Sequence, residues 1–167
     1  MIRDLNRGIL LEGVDVLLPW DTPKDKLQNI GNPILQESSD RFQLYWNEHI
    51  VFGGIKTQVK AVFYKSIKNS ADHPNANGKL HIVNLNFYPI EELKPREQYE
   101  HLKTDFIQIL GTPSPERKIE TKPFDQPFTE WELPSALVVL MVFERFGEHC
   151  VGEIWHKPLP AWRKPKS

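Results

Sequence analysis

Apolar residues recur with helical spacing in one long segment of the chain. Four of them lie three or four positions apart: Tyr99, Leu102, Phe106 and Leu110. This spacing places them on one face of a helix. Pro95 suits the first helical turn, and Gly111 ends the pattern. The sequence therefore predicts a helix over 95–110, with its apolar face packed on a sheet.

A shorter helix is predicted nearer the N-terminus. Asp21 or Thr22 is expected to cap it, with Pro23 at its first position. Gly31 ends it, and Pro33 prevents its continuation. A helix of about two turns is marginal by itself, so we expect its stability to come from packing.

Five segments have the alternating or continuous apolar pattern of strands: 42–46, 55–64, 80–88, 136–146 and 150–156. Residues 136–146 are apolar on both faces, which predicts a central strand. Glycine-containing turns at 53–54 and 147–148 join neighbouring strands as hairpins. The elements together predict an α+β fold, with a predominantly antiparallel sheet and two main helices, in a single domain spanning 1–167.

An internal repeat is one interpretation of the two helix ends. Ile30–Pro33 and Leu110–Pro113 both read Gly-x-Pro after an apolar residue, and a tryptophan-containing strand follows each, with Trp46 and Trp131. A duplication of 9–88 as 89–160 explains this pattern. So does capping chemistry that any helix-to-strand connection uses, in which glycine ends the helix and proline redirects the chain. The sequence leaves both explanations open.

Charge and cysteine content exclude several classes of protein. Lysine and arginine number 21, and aspartate and glutamate number 22, so the formal net charge is −1. This balance argues against a strongly basic nucleic-acid-binding protein. The single cysteine, Cys150, excludes an intramolecular disulfide and a cysteine-rich zinc site.

The distribution of apolar residues also bears on location. Glu12, Gly13 and Asp15 interrupt the N-terminal apolar stretch, so a secretory signal is not recognisable. The longest apolar run, 136–143, is much shorter than the roughly 20 residues that span a bilayer. We therefore expect a cytoplasmic protein that does not cross a membrane, in which Cys150 is a reduced thiol.

The chain lacks the local motifs of phosphate loops, zinc proteases, serine hydrolases and EF-hands. His149 and Cys150 are neighbours on a predicted strand and point to opposite faces, so we expect a buried, inert Cys150. Glu97, His101 and Asp105 form a polar stripe that we interpret as the solvated face of the long helix. We expect no enzymatic activity, no cofactor and no tightly bound metal.

The remaining histidines give no local metal-binding pattern. His149 and His156 fall on opposite faces of their predicted strand, so they do not form a zinc-binding pair. His81 alternates with apolar residues, and we interpret it as a partly buried histidine bonded to the backbone.

Two of the five tryptophans lie at predicted loops, Trp20 and Trp162. A tryptophan exposed beside carboxylates is typical of a protein-binding surface. The alternative is that both rings lie over the core as lids.

In two segments of the chain, a helix is followed by Gly-x-Pro and then by a tryptophan-containing strand, at Ile30–Pro33 and at Leu110–Pro113. This arrangement resembles that of bacterial immunity proteins of polymorphic and contact-dependent toxin systems. The resemblance is to immunity proteins of the tandem α+β inhibitor type. The resemblance implies a stoichiometric inhibitor that binds and neutralises a cognate toxin domain. Acidic and aromatic residues in loops are the expected contacts, and an acidic patch would attract a basic nuclease. The candidate partner-binding residues are Trp20, Asp21, Glu91, Glu92 and Glu97.

Two other functions remain open. A small hydrolase or nuclease would bring histidines and carboxylates from distant positions into a deep cleft. A binder of single-stranded nucleic acid would place Lys56, Lys60 and Lys65 beside aromatic rings on one face; the charge balance argues against this alternative.

Overall fold

The computed structural model describes residues 5–66, 75–115, 126–160 and 163. They form an α+β fold with a predominantly antiparallel sheet and two α-helices, as the sequence predicts. The elements in chain order are β1 (Gly8–Leu11), β2 (Val16–Pro19), α1 (Lys24–Leu27), β3 (Ile34–Glu37), β4 (Arg41–Val51), β5 (Ile55–Tyr64), β6 (Ile82–Phe87), α2 (Pro95–Leu110), β7 (Phe128–Glu132), β8 (Ala136–Glu144) and β9 (Glu148–His156).

Seven strands form one antiparallel sheet in the order β3-β4-β5-β6-β9-β8-β7, while β1 and β2 form a separate hairpin. Strand β6 lies at the centre and pairs with β5 on one side and β9 on the other. Its pairing with β9 sets Ile82 opposite Trp155. The N-terminal end of β6 therefore lies beside the C-terminal end of β9.

Helix α2 has the predicted bounds and packs on β8 and β9. Tyr99, Leu102 and Phe106 are buried, and Leu110 packs at the edge of the same core. The fully buried ring of Phe106 lies near three other aromatic rings, with centroids 5.5 Å from Phe52, 6.0 Å from Phe87 and 5.5 Å from Trp131. The predicted packing of this helix on the sheet is confirmed.

The opposite face of the sheet is covered at β6, β9, β8 and β7. A second apolar cluster there contains Ile82, Leu137, Val139 and Trp155, with Leu159 packed against it. Residues 136–140 are all buried, which confirms that β8 is apolar on both faces. The other part of this face, on β4 and β5, carries polar and half-buried side chains.

The N-terminal part differs from the prediction. Helix α1 has only four residues, and its N-cap is Pro23 without a capping side chain, so Asp21 and Thr22 are not its caps. The strand predicted over 42–46 extends over Arg41–Val51. The short strands β1, β2 and β3 were not predicted, because four-residue strands contain too few residues to show a period.

Both helices are joined to a following strand by an indole hydrogen bond. Trp46 Nε1 donates to the carbonyl of Ile30 at 2.8 Å, and Trp131 Nε1 donates to that of Gly111 at 2.9 Å. Trp46 lies in the second strand after its helix, whereas Trp131 lies in the first. The internal repeat stays a prediction.

The predicted loop over 69–78 is described only from Asn75 onwards, and Trp162 lies outside the described residues. Within the part of the chain that the structure describes, no helix has the length and apolar character needed to cross a bilayer.

Candidate functional site

Two histidines and an aspartate from distant parts of the chain converge at one end of β6. Asp21, His81 and His156 each offer one potential ligand atom, and these atoms all lie within 4.8 Å of one another. The Nε2 atom of His81 lies 3.4 Å from Oδ1 of Asp21. We call these three residues the His-Asp cluster.

Backbone hydrogen bonds hold the three segments of the cluster together. The amide of Asp21 donates to the carbonyl of Leu80 at 2.9 Å, and the amide of His156 donates to that of His81 at 2.7 Å. Asp21 has φ 61°, in the left-handed region that aspartate tolerates better than most residues. The cluster is therefore positioned by the main chain, and its side chains extend from fixed points.

Asn75 fixes the approach to β6. Its side chain is almost fully buried, and its Oδ1 accepts from the amides of His81 at 2.7 Å and Ile82 at 2.9 Å. Its Nδ2 donates to the carbonyl of Val62 at 2.8 Å. This amide side chain therefore ties His81 to β5.

Trp20 lies directly behind the cluster and is 7% exposed. Its Nε1 donates to the carbonyl of Leu5 at 2.8 Å, and its ring stacks on the imidazole of His156. Of the two alternatives that the sequence leaves open for Trp20, the structure shows the lid over the core, because the indole is buried and part of the main core. Its part in partner binding stays a prediction, although a buried ring offers little surface to a partner.

Three effects act on the pKa of His156, and together they lower it. Burial lowers its pKa, while the Asp21 carboxylate raises it and the neighbouring His81 lowers it. The His156 Nδ1 atom is buried and has no hydrogen-bond partner among the described residues. His81 is partly buried as predicted, and its Nε2 lies 3.4 Å from the Asp21 carboxylate. Among the described residues, the predicted hydrogen bond from its side chain to the backbone does not form.

The predicted partner-binding residues fall into two groups. Trp20 and Asp21 lie at the N-terminal end of β6, whereas Glu91, Glu92 and Glu97 follow its C-terminal end. A six-residue strand spans about 20 Å, so these groups do not form one compact surface. The carboxylate of Glu97 accepts from the amide of Lys94 at 3.4 Å and so belongs to the N-terminal cap of α2.

The connection from β6 to α2 presents apolar and acidic side chains together. Tyr88 and Ile90 are each 36% exposed, and the exposed carboxylates of Glu91 and Glu92 follow them. Among the residues that the structure describes, neither carboxylate has an ion-pair partner. Phe146, in the turn between β8 and β9 at the same end of the sheet, is fully exposed. We call these five residues the acidic end.

Two contacts fix the surroundings of the acidic end. The Tyr88 hydroxyl accepts from the amide of Glu48 at 2.7 Å, which ties the connection to β4. The Arg96 guanidinium, in the first turn of α2, lies 2.9 Å from the Glu148 carboxylate at the start of β9. The helix and the β8–β9 hairpin are thereby held in one arrangement.

A third region, the open face of β4 and β5, places cations beside tyrosines. Lys60 Nζ lies 6.0 Å from the ring centre of Tyr45, and the Arg41 guanidinium lies 5.1 Å from that of Tyr64. Lys60 has no carboxylate partner in the described ranges, and burial lowers its pKa. We call Arg41, Tyr45, Lys60 and Tyr64 the open face.

The three lysines predicted for a nucleic-acid surface are not equivalent. Lys56 and Lys60 share one face of β5, as the alternation of the strand requires. Lys56 lies 4.0 Å from Glu48. Lys65 pairs with Glu37 at 2.6 Å and lies over the ring of Phe42, which packs against the main core.

The other candidates have ordinary environments. Cys150 is buried as predicted, and burial raises its pKa to about 12. His149, its neighbour, is exposed. His101 lies 3.8 Å from Asp105 on the exposed side of α2, an arrangement that fits a solvated helix face.

Comparisons with protein-family models, with curated proteins and with solved structures found no match to this chain. The function is therefore inferred from the His-Asp cluster, the acidic end and the open face.

The His-Asp cluster was not predicted from the sequence, because its three residues are far apart in the chain and form no local motif. His81 and His156 meet only because β6 pairs with β9, and Asp21 joins them through its bond to Leu80. A usable signal was present at the ends of two predicted strands, where each histidine lies. Pairing those two strands with each other would have been the step that found it.

Proposed function

We propose that the protein is an immunity protein that binds a cognate bacterial toxin domain in the cytoplasm and neutralises it stoichiometrically. The observation that carries this proposal is the acidic end. Exposed apolar side chains lie there beside two exposed carboxylates that have no ion-pair partner within the described residues.

The composition of the acidic end favours a protein partner. Aromatic side chains are enriched in protein interfaces, and a ring as exposed as that of Phe146 gains most from burial against a partner. Carboxylates that make no ion pair with another described residue are available to pair with lysines or arginines of a basic toxin, and they accelerate its association. The two kinds of side chain together match a basic protein surface with an apolar centre.

Only two of the five predicted partner-binding residues belong to the acidic end. Glu91 and Glu92 belong to the proposed interface. Glu97 caps α2, while Trp20 and Asp21 lie at the other end of β6. We therefore place the toxin-binding surface at the acidic end and leave Trp20 and Asp21 outside it.

Co-expression tests the proposed function. The gene next to this one is expressed in a bacterial host with and without the protein, and growth is measured. We expect the neighbouring gene product to be toxic and growth to be restored when both proteins are made. A Glu91→Lys/Glu92→Lys variant is expected to lose the protection, while a control Asp25→Lys/Asp105→Lys variant, with two charges reversed elsewhere, keeps it. A harmless neighbour, or protection by both variants, contradicts the proposal.

A second candidate function is suggested by the open face. The Lys60 ammonium beside Tyr45 has no carboxylate partner in the described ranges, and the Arg41 guanidinium beside Tyr64 pairs with Asp40 at 2.8 Å. A cation and aromatic rings of this kind are the groups with which proteins bind single-stranded nucleic acid. The near-zero net charge of the chain provides little long-range attraction for such a ligand.

Fluorescence anisotropy with a labelled polyuridine oligonucleotide tests this candidate. Binding that weakens with salt and is lost in Lys60→Ala would support it. Lys24→Ala is the matched control, because Lys24 also lies over an aromatic ring, 3.3 Å from the centre of Phe42, away from the open face. No binding at low salt, or equal binding by both variants, excludes it.

A further inference from the structure

The ligand set of the His-Asp cluster matches the preference of transition-metal ions. Two imidazoles and one carboxylate are among the donors that bind zinc, at bond lengths of about 2.0–2.2 Å. Tetrahedral ligands at those lengths lie about 3.3–3.6 Å apart. The 3.4 Å between His81 and Asp21 already falls in this range, and all three ligand atoms lie within 4.8 Å.

A second observation comes from the hydrogen bonds of His156. Its Nδ1 atom is buried and has no partner in the described part of the chain. A buried polar atom without a partner is unfavourable and calls for an explanation, of which a bound ion is one. The imidazole of His156 is thus not fully satisfied by protein groups alone.

The His-Asp cluster is held in place by packing and backbone hydrogen bonds, and it is accessible from solvent. Trp20 covers His156 from the core side, and the backbone bonds of Asp21 and His156 fix their segments. The side chain of Asp21 is 58% exposed and that of His81 is 32% exposed, so an ion can enter from solvent.

We propose that Asp21, His81 and His156 bind one divalent transition-metal ion, with zinc the best match. Bound there, the ion joins the segment before α1 to the paired ends of β6 and β9. The site is independent of toxin binding, because the acidic end follows the opposite end of β6. The structural consequence is a metal-dependent stabilisation of the fold.

Metal titration of the untagged full-length protein tests the proposal. Zinc binding is measured by calorimetry near neutral pH, and cobalt replaces zinc in a parallel experiment because its visible absorption reports the ligands. The expected result is one ion per chain and an intense four-coordinate cobalt spectrum. Thermal unfolding is expected to shift upward with zinc, since a ligand that binds the folded state stabilises it.

Two variants and a matched control assign the ligands. Asp21→Asn keeps the side-chain shape and tolerates positive φ, and His81→Ala removes an imidazole that is partly exposed. Each is expected to weaken zinc binding by at least about tenfold. His101→Ala removes the histidine of the His101–Asp105 pair on α2 and is expected to leave binding unchanged.

Three results would overturn the proposed metal site. The absence of saturable binding overturns the proposal, as does equal zinc affinity in Asp21→Asn and the wild type. Binding that is lost in His101→Ala places the ion on α2 and also overturns it. If His81→Ala fails to fold, the affinity and cobalt spectrum of Asp21→Asn decide the question.

Discussion

The indole of Trp20 lies parallel to the imidazole of His156, with ring centroids 5.3 Å apart and an angle of 4° between the ring planes. This stack joins the segment before α1 to the end of β9. It closes the main core on one side and holds His156 beside Asp21 on the other. Trp20 is therefore a structural residue of the fold rather than an exposed anchor.

Replacement of Trp20 tests that assignment. Trp20→Ala is expected to lower the free energy of unfolding by about 3–5 kcal/mol, because it removes a large buried ring and leaves a cavity. Trp20→Phe keeps most of the apolar surface and loses the hydrogen bond to Leu5, which contributes about 1 kcal/mol. Denaturant unfolding measures both. A loss below about 1 kcal/mol for Trp20→Ala would show that the ring is peripheral.

Phe106 is the second core position to test. Phe106→Ala is expected to cost about 3–5 kcal/mol in the free energy of unfolding, since the ring is fully buried among three other aromatic side chains. Ile107→Ala, one residue further along α2 and 39% exposed, is the control and is expected to cost less than about 1 kcal/mol. Equal losses for the two variants would mean that α2 does not pack on the sheet as described.

The long elements could be predicted from sequence because each contains several periods of its pattern. The four apolar positions of α2 extend over its last three turns, and Pro95 and Gly111 mark its two ends, so its bounds could be predicted. The alternation in 55–64 likewise identified β5. The four-residue β1, β2 and β3 form through hairpin and edge pairing, which spacing within a short segment does not encode.

Cys150 gives a test of burial by chemical reactivity. Because burial raises its pKa to about 12, almost no thiolate is present near pH 8, and the native protein is expected to react very slowly with a disulfide reagent. Unfolding in denaturant should release one rapidly reacting thiol per chain. Rapid reaction of the native protein would contradict the buried position of this side chain.

The contact between Arg96 and Glu148 predicts a pH effect. Hydrogen bonds from Arg96 lower the pKa of Glu148 below its ordinary value of 4.5. The contribution of this pair to stability is therefore present above that ordinary value and is lost as the pH falls through the lowered pKa. Carboxyl chemical shifts measured by NMR should show the pKa of Glu148 rising in Arg96→Gln. An unchanged titration would show that the pair does not form in solution.

The candidate sites were less predictable than the fold. Glu91 and Glu92 were identified because acidic residues before a helix are visible in sequence, and the exposure of Tyr88 and Ile90 beside them added the apolar part. Trp20 was ambiguous, since a tryptophan before a short helix suits either a lid or an interface. The position of Trp20 depends on the pairing of β6 with β9 and on the bond of Asp21 to Leu80. The same two contacts bring together the three residues of the His-Asp cluster.

Whether the acidic end binds a toxin is decided by the affinity for the neighbouring gene's product. This affinity is measured by calorimetry with a catalytically inactive form of that protein. We expect a one-to-one complex whose affinity falls at least about tenfold in Glu91→Lys/Glu92→Lys, since each 1.4 kcal/mol of lost interaction is a tenfold change. We also expect Asp25→Lys/Asp105→Lys to bind like the wild type. No complex, or equal affinity of the two charge-reversed variants, would contradict the claim that the acidic end binds a toxin.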